Sequence, residues 1–259
     1  MKNRLFSAAV FDKIRNLTRL CLVSMLVSIW GCATVYNPAT ERNEFYFIND
    51  RQEAAIGKSI ANDIIKKNKL VKSRKELSYV RSIGKKIAQV CDRNYLSYHF
   101  YILDDSGMNA FSLPGGFVFL NRGIVEKTTE DELAFVIGHE IGHVCARHSV
   151  KRLQASLGAA LVMGLVSKGI ENDLLNRAVD IVYNVVSLGY SRKDELLADS
   201  LAVKYTYKAG YDPRAGISLM GKLEKDDKNQ YTMIFLRSHP PVKDRINSIK
   251  EKIKELNRK

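Results

Sequence analysis

Residues Gly138–His143 read GHEIGH, and this stretch decides how the rest of the chain is interpreted. His139 and His143 are four residues apart, so on an α-helix their side chains share one face and can bind a single metal ion. Imidazole nitrogen suits zinc, and two histidines on one rigid helix leave room for a third protein ligand and a water molecule. Glu140 is placed to accept a proton from that water. The spacing therefore predicts a zinc site with its own general base, the HExxH pattern.

The residues before GHEIGH predict the helix that this geometry requires. The preceding TTEDE stretch contains two overlapping capping boxes, Thr128 with Asp131 and Thr129 with Glu132. Either box would start a helix just ahead of the histidines. Apolar residues then occupy most of the helix circumference between 133 and 144. Such a helix is expected to be buried in a core.

The third zinc ligand is expected about fifty residues further along the chain. Residues 191–199 read SRKDELLAD, in which Glu195 is the candidate ligand. Asp199 is four residues later on the same helical face and could accept a hydrogen bond from the outer ring nitrogen of His139 or His143. Without GHEIGH, these acidic residues would be interpreted as the solvated face of an amphipathic helix. With it, we expect Glu195 to bind zinc and Asp199 to orient a histidine.

Four motifs, in this order, resemble those of a known family. They are NAFSLPGG at Asn109–Gly116, HEIGH at His139–His143, the Ser191–Asp199 stretch, and SHPP at Ser238–Pro241 followed by Arg245. In these motifs the chain is similar to the gluzincin zinc metallopeptidases that include the CAAX prenyl protease and the mitochondrial inner-membrane stress protease. It is most similar to bacterial periplasmic members of that family, several of which are lipoproteins. The resemblance implies one zinc ion per chain, cleavage of internal peptide bonds, and an α+β, mainly α-helical, zincin-like metalloprotease domain with a small β-sheet beside the HExxH helix.

The Asn109–Gly116 stretch has a role in the family that the chain resembles. There it forms the edge of the sheet beside the zinc, and an extended substrate can add to such an edge through main-chain hydrogen bonds. β-favouring residues at 98–103 and 117–120 predict strands on either side of it. The alternative interpretation is a simple turn at PGG, which is compatible with the first. We expect Asn109 and Ala110 to bind substrate.

His239, in the SHPP motif, is the remaining candidate for the catalytic site. The hypothesis is that it approaches the zinc cleft and either donates to the oxyanion of the tetrahedral intermediate or occupies the open zinc position in a resting state. An isolated His-Pro would be interpreted as a structural loop histidine. Arg245 is expected to hold the motif through nearby carboxylates. His99 is assigned to a strand without a metal role, and His148, about 180° from His139 by the helical period, is expected to lie off the site.

The N-terminus has the pattern of a secretory signal. Five basic residues precede the apolar run 20–30, which is too short to span a bilayer comfortably. The run ends SIWGC, which resembles the lipobox of bacterial lipoproteins and predicts removal of residues 1–31 and lipidation of Cys32. Trp30 departs from the small residue usual there, and the alternative is an uncleaved anchor. Because Ala33-Thr34 lacks the aspartate that favours inner-membrane retention, we expect a periplasmic protein that is lipid-anchored to the outer membrane.

The rest of the chain is expected to form one domain. Residues 32–48 are interpreted as a tether and 49–259 as the zinc metalloprotease domain, since no linker-like composition or repeat interrupts them. Capping boxes formed by Asp50 with Glu53 and by Ser73 with Glu76 predict helices at about 50–68 and 73–91. An amphipathic helix is predicted at the C-terminus. The apolar run 157–166 is interpreted as a core helix or, alternatively, as a mobile flap or membrane-touching segment near the cleft.

The net charge bears on nucleic acid binding, and the cysteine content bears on disulfide formation. The net charge is +13, but most of the basic residues fall on helix faces, and no aromatic-rich basic motif suggests nucleic acid binding. After processing, Cys91 and Cys145 remain besides Cys32. In an oxidising periplasm this pair could form a disulfide or could equally stay as two buried thiols.

The sequence thus predicts a zinc endopeptidase, and the resemblance suggests unfolded or misassembled envelope proteins as its substrates. That role is an analogy with the family. The rival from another class is a non-catalytic periplasmic chaperone or assembly factor that keeps zinc for structure. Glu140 discriminates between the two, because a structural zinc site needs no general base and is usually closed by four protein ligands.

Overall fold

The computed structural model of the chain describes residues 34–46, 48–156, 189–225, 239, 243–256 and 258. The predicted signal peptide, Cys32 and the apolar run 157–166 lie outside these residues. Helices dominate the described part and two small sheets accompany them, which confirms the α+β, mainly helical fold class. Among the residues described, no helix has the length and apolar character needed to cross a membrane.

The first elements are a β-hairpin and two helices. Strands β1 (Thr34–Asn37) and β2 (Arg42–Phe45) pair antiparallel, so part of the stretch interpreted as a tether has regular structure. Helix α1 spans Asp50–Lys67 and helix α2 spans Arg74–Val90, close to the predicted bounds.

The N-terminal cap of α1 differs from the predicted one. Asn49, one residue before Asp50, accepts a hydrogen bond from the backbone N–H of Gln52, and the side chain of Gln52 completes the capping box. Asparagine and aspartate cap helices about equally well, so the local sequence favoured neither. Glu53, the predicted partner in the box, is buried and pairs with Arg93.

A three-stranded sheet follows α2. Strand β5 (Phe117–Asn121) is central, with β3 (His99–Leu103) parallel on one side and β4 (Ala110–Leu113) antiparallel on the other. β4 therefore lies at an edge of this sheet. The turn from β4 to β5 runs through Gly115 and Gly116, whose φ angles of 76° and 92° favour glycine.

The second half of the described chain is helical. It contains α3 (Arg122–Lys127), α4 (Glu130–Cys145), α5 (148–156), α6 (Arg192–Lys208), α7 (Ala215–Lys225) and α8 (Lys243–Leu256). Of the two capping boxes predicted before GHEIGH, the structure forms Thr129 with Glu132. Helix α4 is buried along nearly its whole length, as the sequence predicted, and packs against α2, β4, α6 and α7.

Helices α4 and α6 make the most extensive contact between elements of the described chain. Two glycines of α4 face α6: a Cβ at Gly142 would lie 3.1 Å from the carbonyl oxygen of Ala198, and one at Gly138 would lie 3.4 Å from the Cα of Ala202. Small residues on both helices thus allow the backbones to approach closely. Helix α8 packs on α6 and buries Ile249. This packing sets GHEIGH directly opposite the Glu195 helix.

Candidate metal centre

Two helices supply five side chains of the centre. His139, Glu140 and His143 project from α4, and Glu195 and Asp199 project from the facing side of α6. All five are at most 3% exposed. The four-residue spacing in α4 brings the two histidine ring centroids to 4.7 Å. Two motifs more than fifty residues apart in sequence therefore form one buried site.

Donor atoms of four side chains converge at this site. The candidate ligand atoms of His139, His143, Glu195 and His239, here called the ligand cluster, lie within 4.8 Å of one another. The Nε2 atoms of the two α4 histidines are 3.0 Å apart, and each lies 3.4 Å from a carboxylate oxygen of Glu195. Imidazole and carboxylate groups form a donor set that zinc accepts. The buried ligand cluster can therefore hold a metal ion.

His239 reaches the ligand cluster from the C-terminal part of the chain. Its Nδ1 atom lies 3.2 Å from His139 Nε2 and 3.1 Å from Glu195 Oε1. Its Nε2 atom points the other way and lies 3.4 Å from Glu140 Oε1. The ring is 1% exposed. The structure thus places this histidine among the candidate ligands and next to the predicted general base; the remainder of SHPP lies outside the described residues.

Asp199 lies beside His139, one of the two histidines that it was predicted to serve. Its Oδ1 atom is 2.9 Å from His139 Nδ1. Arg245 donates to both carboxylate oxygens of Asp199 at 2.7 Å, and its Nη1 atom lies 3.1 Å from Glu195 Oε2. Arg245 also donates to the carbonyl oxygen of His239 at 3.4 Å. Arg245 therefore links α8 to α6 and to the backbone of His239.

His148 is not part of the ligand cluster, but it lies beside the centre, so the position predicted for it from the helical period was wrong. Its Nδ1 atom is 2.8 Å from His143 Nδ1, and both rings are buried. The prediction continued α4 straight through residue 148, but α4 ends at Cys145 and Arg147 has a φ of 55°. This left-handed residue turns the chain and brings His148 back toward His143. Arginine rarely adopts such a φ, so the local sequence did not mark the break.

Tyr190 is a second neighbour that sequence reasoning missed. Its ring stacks on the ring of His143 with centroids 4.0 Å apart, and its hydroxyl lies 2.7 Å from Ser149 Oγ. The residue directly precedes the motif that carries Glu195, but a lone tyrosine there has no pattern that distinguishes it from a core residue. Its contact restricts the orientation of the His143 ring.

The two α4 histidines differ in their electrostatic surroundings. Burial lowers the pKa of His143 to about 3. Burial also opposes protonation of His139, but hydrogen bonds with Asp199 and Glu195 outweigh it and raise the pKa of His139 to about 9. Burial favours the neutral form of Asp199, yet Arg245 and His139 hold the pKa of this carboxyl below its usual range. The carboxylates that stabilise a proton on His139 would equally stabilise a metal cation at its ring.

Glu140 is the unusual group of the centre. It is fully buried, and neither of its carboxylate oxygens has a hydrogen-bond partner among the described residues. A buried carboxylate that accepts no hydrogen bond is costly and calls for an explanation such as an ion or a reactive water. Glu195 and Asp199, by contrast, both have bonded oxygens. The donor set and this carboxylate together fit a metal ion with a water molecule next to Glu140.

The edge strand β4 packs against α4, which puts it near the ligand cluster. The carbonyl oxygen of Asn109 accepts a hydrogen bond from the backbone N–H of Asn121 at 2.8 Å and so points toward β5. By the alternation of an antiparallel ladder, the main-chain groups of Ala110 and Ser112 then point away from β5. Of the two residues predicted to bind substrate, Ala110 directs its backbone to the outer edge and Asn109 does not. Ala110 is fully buried.

The two cysteines considered for a disulfide lie close together as buried free thiols. The hydroxyl of Tyr98 is 3.4 Å from Cys91 Sγ and 3.6 Å from Cys145 Sγ. Neither thiol belongs to the ligand cluster found among the described residues.

Comparison with known proteins agrees with the geometry of this centre. Residues 74–253, more than two thirds of the chain, match the family model of Peptidase family M48. The chain belongs to peptidase family M48. Its resemblance to a metallopeptidase family with mitochondrial and bacterial members is thereby confirmed.

Three relatives illustrate the M48 similarity. Mitochondrial metalloendopeptidase OMA1 of Schizosaccharomyces pombe is 31% identical over 180 residues, which cover 68% of this chain and 53% of OMA1. Metalloprotease LoiP of Escherichia coli is 23% identical over 250 residues, 93% of this chain and 97% of LoiP. A putative beta-barrel assembly-enhancing protease of Vibrio cholerae is 27% identical over 190 residues, 68% of this chain and 39% of that protein. The chain spans about half the length of the S. pombe relative.

Proposed function

We propose that this M48 protein is a zinc metalloendopeptidase of the HExxH gluzincin type. His139, His143 and Glu195 hold one zinc ion, and Glu140 is the general base. The observation that carries the proposal is Glu140, a fully buried carboxylate that has no hydrogen-bond partner among the described residues and lies beside a cluster of candidate metal-ligand atoms. Catalysis by a metal-activated water requires such a base, whereas a structural zinc site has no use for it.

The chain's own residues divide the chemistry between them. Zinc, when bound, supplies Lewis acidity that lowers the pKa of water to about 7 and polarises the substrate carbonyl. Glu140 takes the proton of the attacking water and passes it to the leaving amine. Asp199 accepts a hydrogen bond from His139 Nδ1, which keeps the lone pair of Nε2 directed into the ligand cluster. Arg245 keeps Asp199 ionised for this purpose.

Of the two roles considered for His239, the geometry favours the resting-state ligand. Its Nδ1 atom lies among the ligand atoms, and the ring is buried with them. We propose that His239 occupies the open coordination position and must move before substrate enters. His239→Ala is then expected to keep zinc and to cleave a short peptide faster than the parent, in a peptide-cleavage assay at equal zinc content. An oxyanion donor would instead lose about 10²- to 10³-fold in kcat on substitution.

The edge of the sheet supports a mode of substrate binding. We propose that an extended peptide pairs with the outer edge of β4 through the main-chain groups of Ala110 and Ser112. Both residues are buried, so this edge becomes accessible only when the cleft opens. Such pairing recognises the backbone, which suits an enzyme that acts on unfolded chains of varied sequence.

The biological setting of the activity is also a proposal. We propose that the substrates are unfolded or misassembled envelope proteins, and that the enzyme is periplasmic and anchored to the outer membrane by a lipid on Cys32. The lipobox-like SIWGC stretch supports the anchor. The name of the V. cholerae relative, a beta-barrel assembly-enhancing protease, supports a role in the envelope. The rival function is a non-catalytic assembly factor that contains zinc.

Cleavage of an unfolded model protein tests the proposal. The chain beginning at Ala33 would be assayed with and without a zinc chelator, beside a Glu140→Gln variant of equal zinc content. We expect the parent alone to cleave and chelation to abolish cleavage. Cleavage by Glu140→Gln at the parent's rate would exclude Glu140 as the base. If the parent and His239→Ala both bind zinc and cut nothing, the assembly-factor function is the better explanation.

A further inference from the structure

The outer ring nitrogen, Nδ1, of each histidine in GHEIGH has a hydrogen-bond partner, and the two partners are of different kinds. His139 Nδ1 lies 2.9 Å from the carboxylate of Asp199, whereas His143 Nδ1 lies 2.8 Å from a second imidazole, the Nδ1 atom of His148. The zinc site proposed above gives His148 no role. We propose that His148 is a positioning residue, which fixes the tautomer and the orientation of His143 for metal binding; this inference rests on that zinc site.

The contact between the two rings determines where the protons lie. At 2.8 Å, one Nδ1 must donate and the other must accept, since two lone pairs or two N–H groups would repel. His143 Nε2 faces the ligand cluster, 3.0 Å from His139 Nε2 and 3.4 Å from Glu195 Oε1, so metal binding requires a lone pair there. The proton of neutral His143 is therefore on Nδ1 and is donated to His148. If His148 were the donor, His143 would carry its proton on Nε2 and block the metal.

Asp194 favours the tautomer of His148 in which Nδ1 accepts a hydrogen bond from His143. His148 Nε2 lies 3.4 Å from Asp194 Oδ1, and a carboxylate at that position favours a proton on Nε2. Nδ1 of His148 then keeps its lone pair for His143. The second oxygen of Asp194 accepts a hydrogen bond from Ser191 Oγ at 2.7 Å, as part of the N-terminal cap of α6. Helix α6, which carries Glu195, therefore also orients the His148 ring that contacts His143.

The backbone break between α4 and α5 keeps His148 in place. Arg147, in its left-handed conformation, contacts Glu53 Oε2 at 2.9 Å and donates to the carbonyl oxygen of Ile48 at 2.5 Å. Its guanidinium lies 4.0 Å from the centroid of the Tyr46 ring. A left-handed residue other than glycine costs of order 1 kcal/mol or more, and these contacts offset that cost. The position of His148 is therefore fixed by the fold and does not depend on its contact with His143.

Zinc affinity measured by competition with a chelator tests the inference. His148→Phe keeps an aromatic ring but removes the acceptor, and is expected to weaken zinc affinity about 10- to 100-fold. His148→Asn places a carbonyl oxygen near the former Nδ1 position and is expected to restore most of the affinity. Asp194→Asn keeps an oxygen for the cap and is expected to weaken affinity less than His148→Phe. His99→Phe, at an exposed histidine of β3, is the control and should match the parent.

Parental affinity in His148→Phe would overturn the inference, and so would equal losses in the phenylalanine and asparagine variants, which would indicate packing alone. If His148→Phe does not fold, the ring nitrogens of the zinc-loaded parent can be assigned by NMR. A proton on Nε2 of His148 supports the inference, and a proton on Nδ1 overturns it. A parent that binds no zinc overturns the proposed zinc site itself, whereas absence of cleavage leaves the affinity comparison intact.

Discussion

At the residue scale, the charge of the centre depends on Asp199, which lies between His139 and Arg245. Asp199→Asn keeps the size of the side chain but removes the negative charge that favours a cation at His139. We expect zinc affinity to fall about 10- to 100-fold, as for other partners of metal-bound histidines. Competition with a chelator measures the change. Asp212→Asn, which alters an exposed pair with Arg214, is the control; equal affinities in the two variants would contradict the prediction.

The residues of the centre could be predicted from sequence wherever the pattern lay within a few consecutive residues of one helix. The four-residue spacings between His139 and His143 and between Glu195 and Asp199 each define one helical face, and the structure brings these faces together. His148 could not be placed in this way, because its position follows from a left-handed arginine that is held by side chains distant in sequence. The absence of a glycine at that turn concealed the break in the helix.

At the scale of elements, the centre depends on how closely α4 and α6 approach. A Cβ at Gly142 would lie 3.1 Å from the carbonyl oxygen and 3.3 Å from the Cα of Ala198, and the backbone there has little freedom to yield. Gly142→Ala gains about 1 kcal/mol of helix propensity, but the overpacking costs about 1–3 kcal/mol. We expect lower stability in urea unfolding and weaker zinc binding, because α6 carries Glu195.

Gly138→Ala is the matched control for this substitution. Its Cβ would lie 3.4 Å from the nearest atom of α6, which is an ordinary contact distance. The same gain in helix propensity should therefore leave the protein as stable as the parent or slightly more stable. If the two alanine variants unfold at the same urea concentration and bind zinc equally, close approach at Gly142 does not limit the site.

The N-terminus of α4 gives a prediction about pH. Glu132 is buried, accepts hydrogen bonds from Lys222 and Ser218 at 2.6 Å, and completes the cap with Thr129. Burial favours its neutral form, but these donors hold the pKa of Glu132 below its ordinary value of 4.5. A lowered carboxyl pKa adds stability at pH values above the ordinary pKa, and that stability is lost as the pH falls through the folded-state pKa.

The substitution Glu132→Gln isolates the contribution of the Glu132 charge to stability. The variant keeps the side-chain length and a cap acceptor, so we expect it to lose about 1.5–3 kcal/mol of unfolding free energy at pH 7, the range for hydrogen bonds to a charged group. The difference between parent and variant should stay constant down to about the ordinary pKa of 4.5 and then shrink as the pH falls. Urea unfolding across pH measures it, and a difference that grows in acid would show that the sign is wrong.

At the scale of the whole molecule, the sequence predicted the helices and strands better than the contacts between them. Caps and periodicity are local, so the bounds of α1 and α2 and the burial of α4 could be inferred before the structure. The family was inferred from the resemblance of four ordered motifs, and the match to the M48 family model confirms it. Glu53 shows why contacts between distant parts of the chain could not be predicted. Its spacing from Asp50 suggested a capping partner, but its carboxylate lies among groups brought together from distant parts of the chain. No spacing rule within one helix reveals such a contact.

Glu53 connects three regions of the described fold. Its carboxylate contacts Arg93 at 3.0 Å and Arg147 at 2.9 Å, and it accepts a hydrogen bond from the backbone N–H of Gly115 at 3.1 Å. All three charged side chains are at most 7% exposed. Removing one partner of a buried ion pair leaves the other charge uncompensated, which costs about 3–5 kcal/mol. Glu53 thus ties α1 to the end of α4 and to the turn that follows the edge strand.

Glu53→Ala is expected to lower the unfolding free energy by up to about 3–5 kcal/mol, because Arg93 and Arg147 lose their buried counter-ion and keep only the partly exposed Asp50. It should also weaken zinc binding, since Arg147 sets the turn that places His148 beside His143. Glu126→Ala removes an exposed partner of Arg122 and should cost at most about 1 kcal/mol. Urea unfolding and chelator competition on both variants separate the two effects. A Glu53→Ala protein that is destabilised but binds zinc with parental affinity would show that the network supports the fold without reaching the metal centre.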